Sequence, residues 1–107
     1  MPIYVDRHAL ADIPRAVQQQ MHREAAEGFV DTHGVQALAH WVSDGVIYCI
    51  VQARDEEAFR QHHADHGLAC RAIHQISGLR GRHPLLVHEM DIVRGALGDL
   101  WPGGLAA

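Results

Sequence analysis

Asp44-Gly45 divides the stretch from Val35 to Val51 into two β-rich runs, and a two-residue turn of this composition is the strongest short-range hairpin signal in the chain. Both turn positions need a positive φ, which Asp and Gly tolerate. Such a turn sets Ser43 opposite Val46, and stepping back pairs Trp41 with Tyr48 and His40 with Cys49. The hairpin then becomes the fixed centre around which the other elements are ordered.

Upstream, Ile3 and Val5 alternate with Tyr4, Asp6 and His8, the period of a strand from Pro2 to His8 with Ile3 and Val5 as its natural core residues. Asp12 and Pro14 introduce Ile13, Val17, Met21, Ala25 and Phe29 at four-residue spacing, one side of a helix expected to end near Thr32, before Gly34. Downstream, Asp55 is an N-cap candidate followed by the acids Glu56 and Glu57, and Ala58, Phe59, His62 and His66 share one side of a second helix that stops at Gly67. Ala72 to Ile76 supplies a fourth strand. The order β-α-β-β-α-β predicts an α+β, ferredoxin-like sandwich with an antiparallel sheet over residues 1–78. Residues 79–107 read as a connector and tail: after a Gly- and Arg-rich segment, Leu86, Met90, Val93, Leu97 and Leu100 recur at helical spacing and predict an extra C-terminal helix.

At 107 residues the chain has room for one such domain, and its formal charge of −4 argues against a nucleic-acid partner held by a basic patch. No apolar run approaches the roughly 18 residues of a membrane span. No basic, apolar leader is visible at Met1, so a cytoplasmic location is expected.

Histidine is the anomaly: ten residues, more than all Lys and Arg together, spread along the chain. Protonating all of them would carry the formal charge from −4 to +6. His62 and His66, one helical turn apart, can offer two imidazoles to one divalent ion, although the same pair could simply edge the stripe containing Phe59. In the split βαβ topology the second helix ends beside the C-terminal end of the first strand, so His8, His62 and His66 converge on one edge. Asp6 could add an oxygen ligand or orient an imidazole, against the plainer reading of a surface ion pair with Arg7 or Arg71. With Ile3 and Val5 facing the helices, however, Asp6 and His8 fall on the opposite sheet face, and the two pairs could form separate sites. That open face, bearing Tyr4, Trp41 and Tyr48, calls for a partner, and face-to-face dimerisation would cover it.

The motifs Tyr4-Val5-Asp6-Arg7-His8, His33-Gly34-Val35, Tyr48-Cys49-Ile50-Val51 and His62 to Gly67, taken in order, resemble a small bacterial ferredoxin-like family that includes a nickel-binding dimeric protein. The resemblance implies a homodimer that binds nickel, with Asp6, His8, His62 and His66 as the metal-site residues. The family's His-Arg-Glu-Ala-His-Gly motif reads His62-His63-Ala64-Asp65-His66-Gly67 here, its acid displaced by one place to Asp65. Nickel comes from the resemblance alone, since imidazole and carboxylate suit zinc, copper or cobalt equally well.

The remaining candidates have plainer readings. Cys49 opposite His40 could be a soft-ligand pair, but Leu38, Val42, Ile47 and Val51 are placed on the same face, which favours a core cysteine. Cys70 reads as an ordinary thiol, His33 as a helix C-cap, His22 as solvent-facing, and His63 as pointing away from His62. The expected function is metal buffering, storage or sensing without catalysis. One alternative is a small dimeric monooxygenase- or isomerase-type enzyme working in a pocket between sheet and helices, with His40, Cys49 or Tyr48 as its polar groups. Another is an interaction module whose C-terminal helix docks on a partner or swaps between subunits.

Overall fold

The computed structural model describes residues 1–70 and 73–76, the side chain of Trp41 excepted; the expected tail and helix in residues 79–107 lie outside the described residues, as does Ala72. Strand β1 (Ile3–Ala9) leads through a short 3-10 turn to helix α1 (Arg15–Glu27), followed by β2 (Gln36–Ser43), β3 (Val46–Gln52), helix α2 (Glu56–Asp65) and β4 (Ile73–Gln75). The strands form one antiparallel sheet in the order β2-β3-β1-β4, giving a mixed α+β architecture.

The hairpin forms in the expected register, with Ser43 opposite Val46, Trp41 opposite Tyr48 and His40 opposite Cys49. Asp44 and Gly45 have φ of 52° and 73°, the left-handed pair that a two-residue turn matching strand twist requires. A bulge between Ala37 and Ala39 then shifts the ladder, so Leu38 packs with Ile50 and Tyr48 and leaves the face of Cys49 on which alternation placed it.

Helix α1 ends earlier than its apolar spacing suggests. Gly28 adopts φ 66° and donates to the Ala25 carbonyl, while the Phe29 N–H reaches back to the Glu24 carbonyl at 3.0 Å. This left-handed cap closes the helix before Phe29, which is 47% exposed rather than part of the buried stripe. His33 therefore caps nothing in α1. Helix α2 keeps its expected limits: the Asp55 side chain accepts from the Ala58 N–H at 2.8 Å, and Gly67, at φ 75°, turns the chain away.

One expectation is reversed. Tyr4 packs toward Phe59 of α2, with ring centroids 6.4 Å apart, while Val5 joins Tyr48, Ile50 and Ile76 on the other sheet face. Asp6 and His8 consequently face the helices. Alternation could not decide this, because β1 is covered on both sides: Tyr4, Val5 and Asp6 are 7%, 0% and 1% exposed. The more apolar side of β1, with Ile3 and Val5, faces away from the helices, and the helix-facing side ends in a buried polar cluster.

Candidate metal centre

Three elements build that cluster. On β1, Asp6 and His8 follow Tyr4 along the helix-facing side; Asp6 lies opposite Cys49 of β3, which lies opposite His40 of β2. On α2, His63 stands one turn beyond Phe59, its ring centroid 4.8 Å from that ring, and both side chains are buried. Beyond the helix, Leu68 is buried and the chain returns so that Cys70 reaches His63. The Nδ1 of His63 is 3.0 Å from Asp6 Oδ2, 3.3 Å from His8 Nε2 and 3.0 Å from Cys70 Sγ. His8 Nε2 is itself 2.7 Å from Asp6 Oδ2. Potential donor atoms of Asp6, His8, Cys49 and His63 all lie within 4.8 Å of one another.

Hydrogen bonding alone leaves this group unbalanced. A neutral imidazole carries one N–H, yet three polar groups crowd Nδ1 of His63, while its Nε2 and the Asp6 Oδ1 are buried without a hydrogen-bond partner. A shared cation would relieve the crowding, because donors bound at about 2.0–2.3 Å around one ion stand roughly 3.0–3.7 Å apart, only slightly wider than the contacts here. The residues therefore fit a small divalent metal. Burial pushes the Asp6 carboxyl up, but hydrogen bonds from His63 and His8, together with their charges, bring it down to about 2. Burial and the Asp6 charge hold both thiols, Cys49 and Cys70, above the usual cysteine range. A cation offsets that same negative charge and favours a thiolate.

A second cluster lies toward the end of α2. His66 Nε2 is 3.3 Å from Glu24 Oε2, the rings of His62 and His66 meet edge to face at 5.3 Å, and donor atoms of Glu24, His62 and His66 lie within 4.8 Å of one another. Burial lowers the His62 imidazole, against the opposing hydrogen bond to Asp31 Oδ2 at 2.7 Å. Asp31 can make that bond because its Oδ1 is occupied by the N–H groups of His33 and Val35, each at 2.9 Å, in the turn before β2. His33 pairs with Asp65 at 2.8 Å in a more exposed group.

The structure thus divides the four expected ligands. Asp6 and His8 stand in the first cluster, His62 and His66 in the second, and among the described residues no such donor group joins His8 to His62 or His66. Asp6 is no surface ion-pair partner, being buried against imidazoles. His63 and Cys70 occupy places the sequence reading gave to neither. His63 carried a signal, the four-residue step from Phe59; Cys70 carried none, because its approach depends on the path of a loop.

Residues 4–76 match the family model described as "Nickel responsive protein SCO4226-like". The chain belongs to the SCO4226-like family. No curated protein and no solved structure matches it. Both histidine clusters fall inside the span that matches the SCO4226-like model.

One imidazole of this SCO4226-like chain stands apart from both clusters. His40 lines a cleft of about 360 Å³ with Arg15, Gln18, His22 and Val42, and its Nδ1 is buried without a partner. His22 is exposed, as expected. Burial, reinforced by the positive charges of His63 and His22, lowers the His40 imidazole to about 4. A base whose folded pKa is depressed leaves stability intact above its unfolded value and removes it as pH falls through the folded one. Metal-free protein should therefore lose about 2 to 3 kcal/mol through His40 between pH 6.5 and pH 4. Urea unfolding of His40→Gln over this range is expected to show a flatter decline than wild type; parallel curves would remove His40 from the account.

Proposed function

We propose that this protein binds a divalent transition-metal ion, nickel before zinc, copper or cobalt, at the buried centre formed by Asp6, His8 and His63, and that it serves in nickel buffering, storage or sensing. The observation that carries the reading is the single nitrogen of His63 facing a carboxylate, an imidazole and a thiol at 3.0–3.3 Å. Asp6 is ionised far below neutral pH and is ready as an oxygen ligand. His8 and His63 each bring a nitrogen that must be free of its proton, so metal uptake weakens as pH falls. The family's description supports nickel, while the donor set alone suits several divalent ions. Glu24, His62 and His66 form a shallower second candidate, retaining the helical His pair that the family motif singles out.

The same reading takes the β-α-β-β-α-β order and the sheet order β2-β3-β1-β4 as a ferredoxin-like domain over residues 1–78, with residues 79–107 as an appended tail, acting as a cytoplasmic homodimer. Among the described residues no helix is long and apolar enough to cross a membrane.

The direct test is calorimetric titration of untagged, chelator-stripped protein with Ni²⁺ near neutral pH, with elemental analysis of the product. Saturable uptake of about one equivalent or more per chain is expected. A protein that takes up no nickel above buffer controls would end the proposal.

A further inference from the structure

The geometry points to Cys70 as the sulfur ligand of the buried centre, completing Asp6, His8 and His63, and to Cys49 as a structural thiol that stays outside the coordination sphere. This rests on the metal-binding reading above and specifies its donor set.

Cys70 Sγ is 3.0 Å from His63 Nδ1, the nitrogen that also meets Asp6 Oδ2 at 3.0 Å and His8 Nε2 at 3.3 Å. Sulfur, carboxylate oxygen and the second imidazole therefore surround one atom. The Oδ1 of Asp6, on a side chain 1% exposed, has no hydrogen-bond partner, so the centre is short of positive charge or donors where the thiol arrives.

Two differences separate the cysteines. Cys49 lies within β3, paired across the sheet with Asp6 on one side and His40 on the other, and is fully buried. Its sulfur also lies within 4.8 Å of donor atoms of Asp6, His8 and His63, but the sheet ladder fixes it and leaves it less room than a loop residue to widen those contacts around an ion. Cys70 lies beyond α2 and is partly exposed; buried Leu68 anchors the segment, and Arg60 Nη1 donates to the Cys70 carbonyl at 2.8 Å. A side chain carried on such a segment can widen its contacts from hydrogen-bond lengths to those of ligands around an ion.

The chemistry balances without an oxidant. The S–H bond breaks heterolytically, the sulfur pair goes to the metal, and the proton leaves to solvent. Carboxylate and thiolate together then contribute two negative charges, which neutralise a divalent cation in a site with little water. A sulfur donor also shifts the preference toward softer divalent ions relative to an all-oxygen-and-nitrogen set.

The experiment is titration of metal-free wild type, Cys70→Ser and Cys49→Ala with Ni²⁺, followed by calorimetry and by the near-ultraviolet thiolate-to-nickel charge-transfer band. Wild type and Cys49→Ala should develop the band with similar affinity. Cys70→Ser should lose it and bind about tenfold or more weakly. A second measurement needs no variant: saturating Ni²⁺ should slow labelling of Cys70 by N-ethylmaleimide in the folded wild-type protein, read peptide by peptide. A band that persists in Cys70→Ser, a band lost in Cys49→Ala alone, or nickel bound by wild type with no sulfur signature overturns the assignment and leaves the metal-binding reading standing. Wild type that takes up no nickel overturns both.

Discussion

Replacing His63 by alanine should weaken nickel binding at the buried centre by roughly a hundredfold or more, while His66→Ala should leave that centre within a few-fold of wild type. The contrast follows from where each ring stands. His63 Nδ1 lies among Asp6 Oδ2, His8 Nε2 and Cys70 Sγ at 3.0–3.3 Å, so its loss removes the atom that every other donor faces. Losing one donor outright should cost more than losing an outer-shell partner, for which ten- to a hundredfold is common. His66 meets Glu24 and His62 in the second cluster, a donor group that includes neither Asp6 nor His8. Calorimetry at one fixed pH measures both variants, with circular dichroism confirming that each is folded. Unimpaired binding by the His63 variant would show that the ion is held elsewhere. Loss of high-affinity binding in the His66 variant alone would move the principal site to Glu24, His62 and His66.

The Asp44-Gly45 hairpin, the Asp55 cap and the Gly67 stop were legible because each is decided by a few adjacent residues, and the pairing of His40 with Cys49 followed from the turn by counting. The orientation of β1 was not legible. A strand buried on both faces has no polar side to mark solvent, and hydropathy prefers to turn Val5 rather than Asp6 toward the helices. Alternation thus placed Asp6 and His8 on the face away from the helices, and the convergence expected from topology was with His62 and His66 rather than with His63. His63 was within reach of a helical argument, since Phe59 to His63 is the same four-residue step as His62 to His66. The stripe of Ala58, Phe59, His62 and His66 instead joined His62 and His66, rather than His63, to Asp6 and His8 in the expected site. The approach of Cys70 and the displacement of Leu38 by a bulge depend on a loop path and a ladder irregularity, which no periodicity encodes.

The residue that ties fold to centre is Phe59, and Phe59→Ala is expected to cost about 3 to 5 kcal/mol of folding stability. Its ring is fully buried, 6.4 Å from that of Tyr4 and 4.8 Å from that of His63, so it both fills the core and sets the imidazole's position. Against a total of about 5 to 15 kcal/mol for a domain, such a loss should lower the melting temperature by on the order of 20 °C. Nickel supplies the discriminating second measurement. An ion that binds only the folded state stabilises it by about 2.7 kcal/mol at a hundredfold excess over Kd, so wild type should melt several degrees higher with Ni²⁺ than without. In the variant, a cavity beside His63 lets the ring leave its position, and the nickel-induced increment should shrink along with the affinity. Thermal melts of both proteins with and without Ni²⁺ separate the two roles. If the variant is destabilised yet gains the full wild-type increment from nickel, Phe59 is a core residue alone, and the orientation of His63 is set by its polar neighbours.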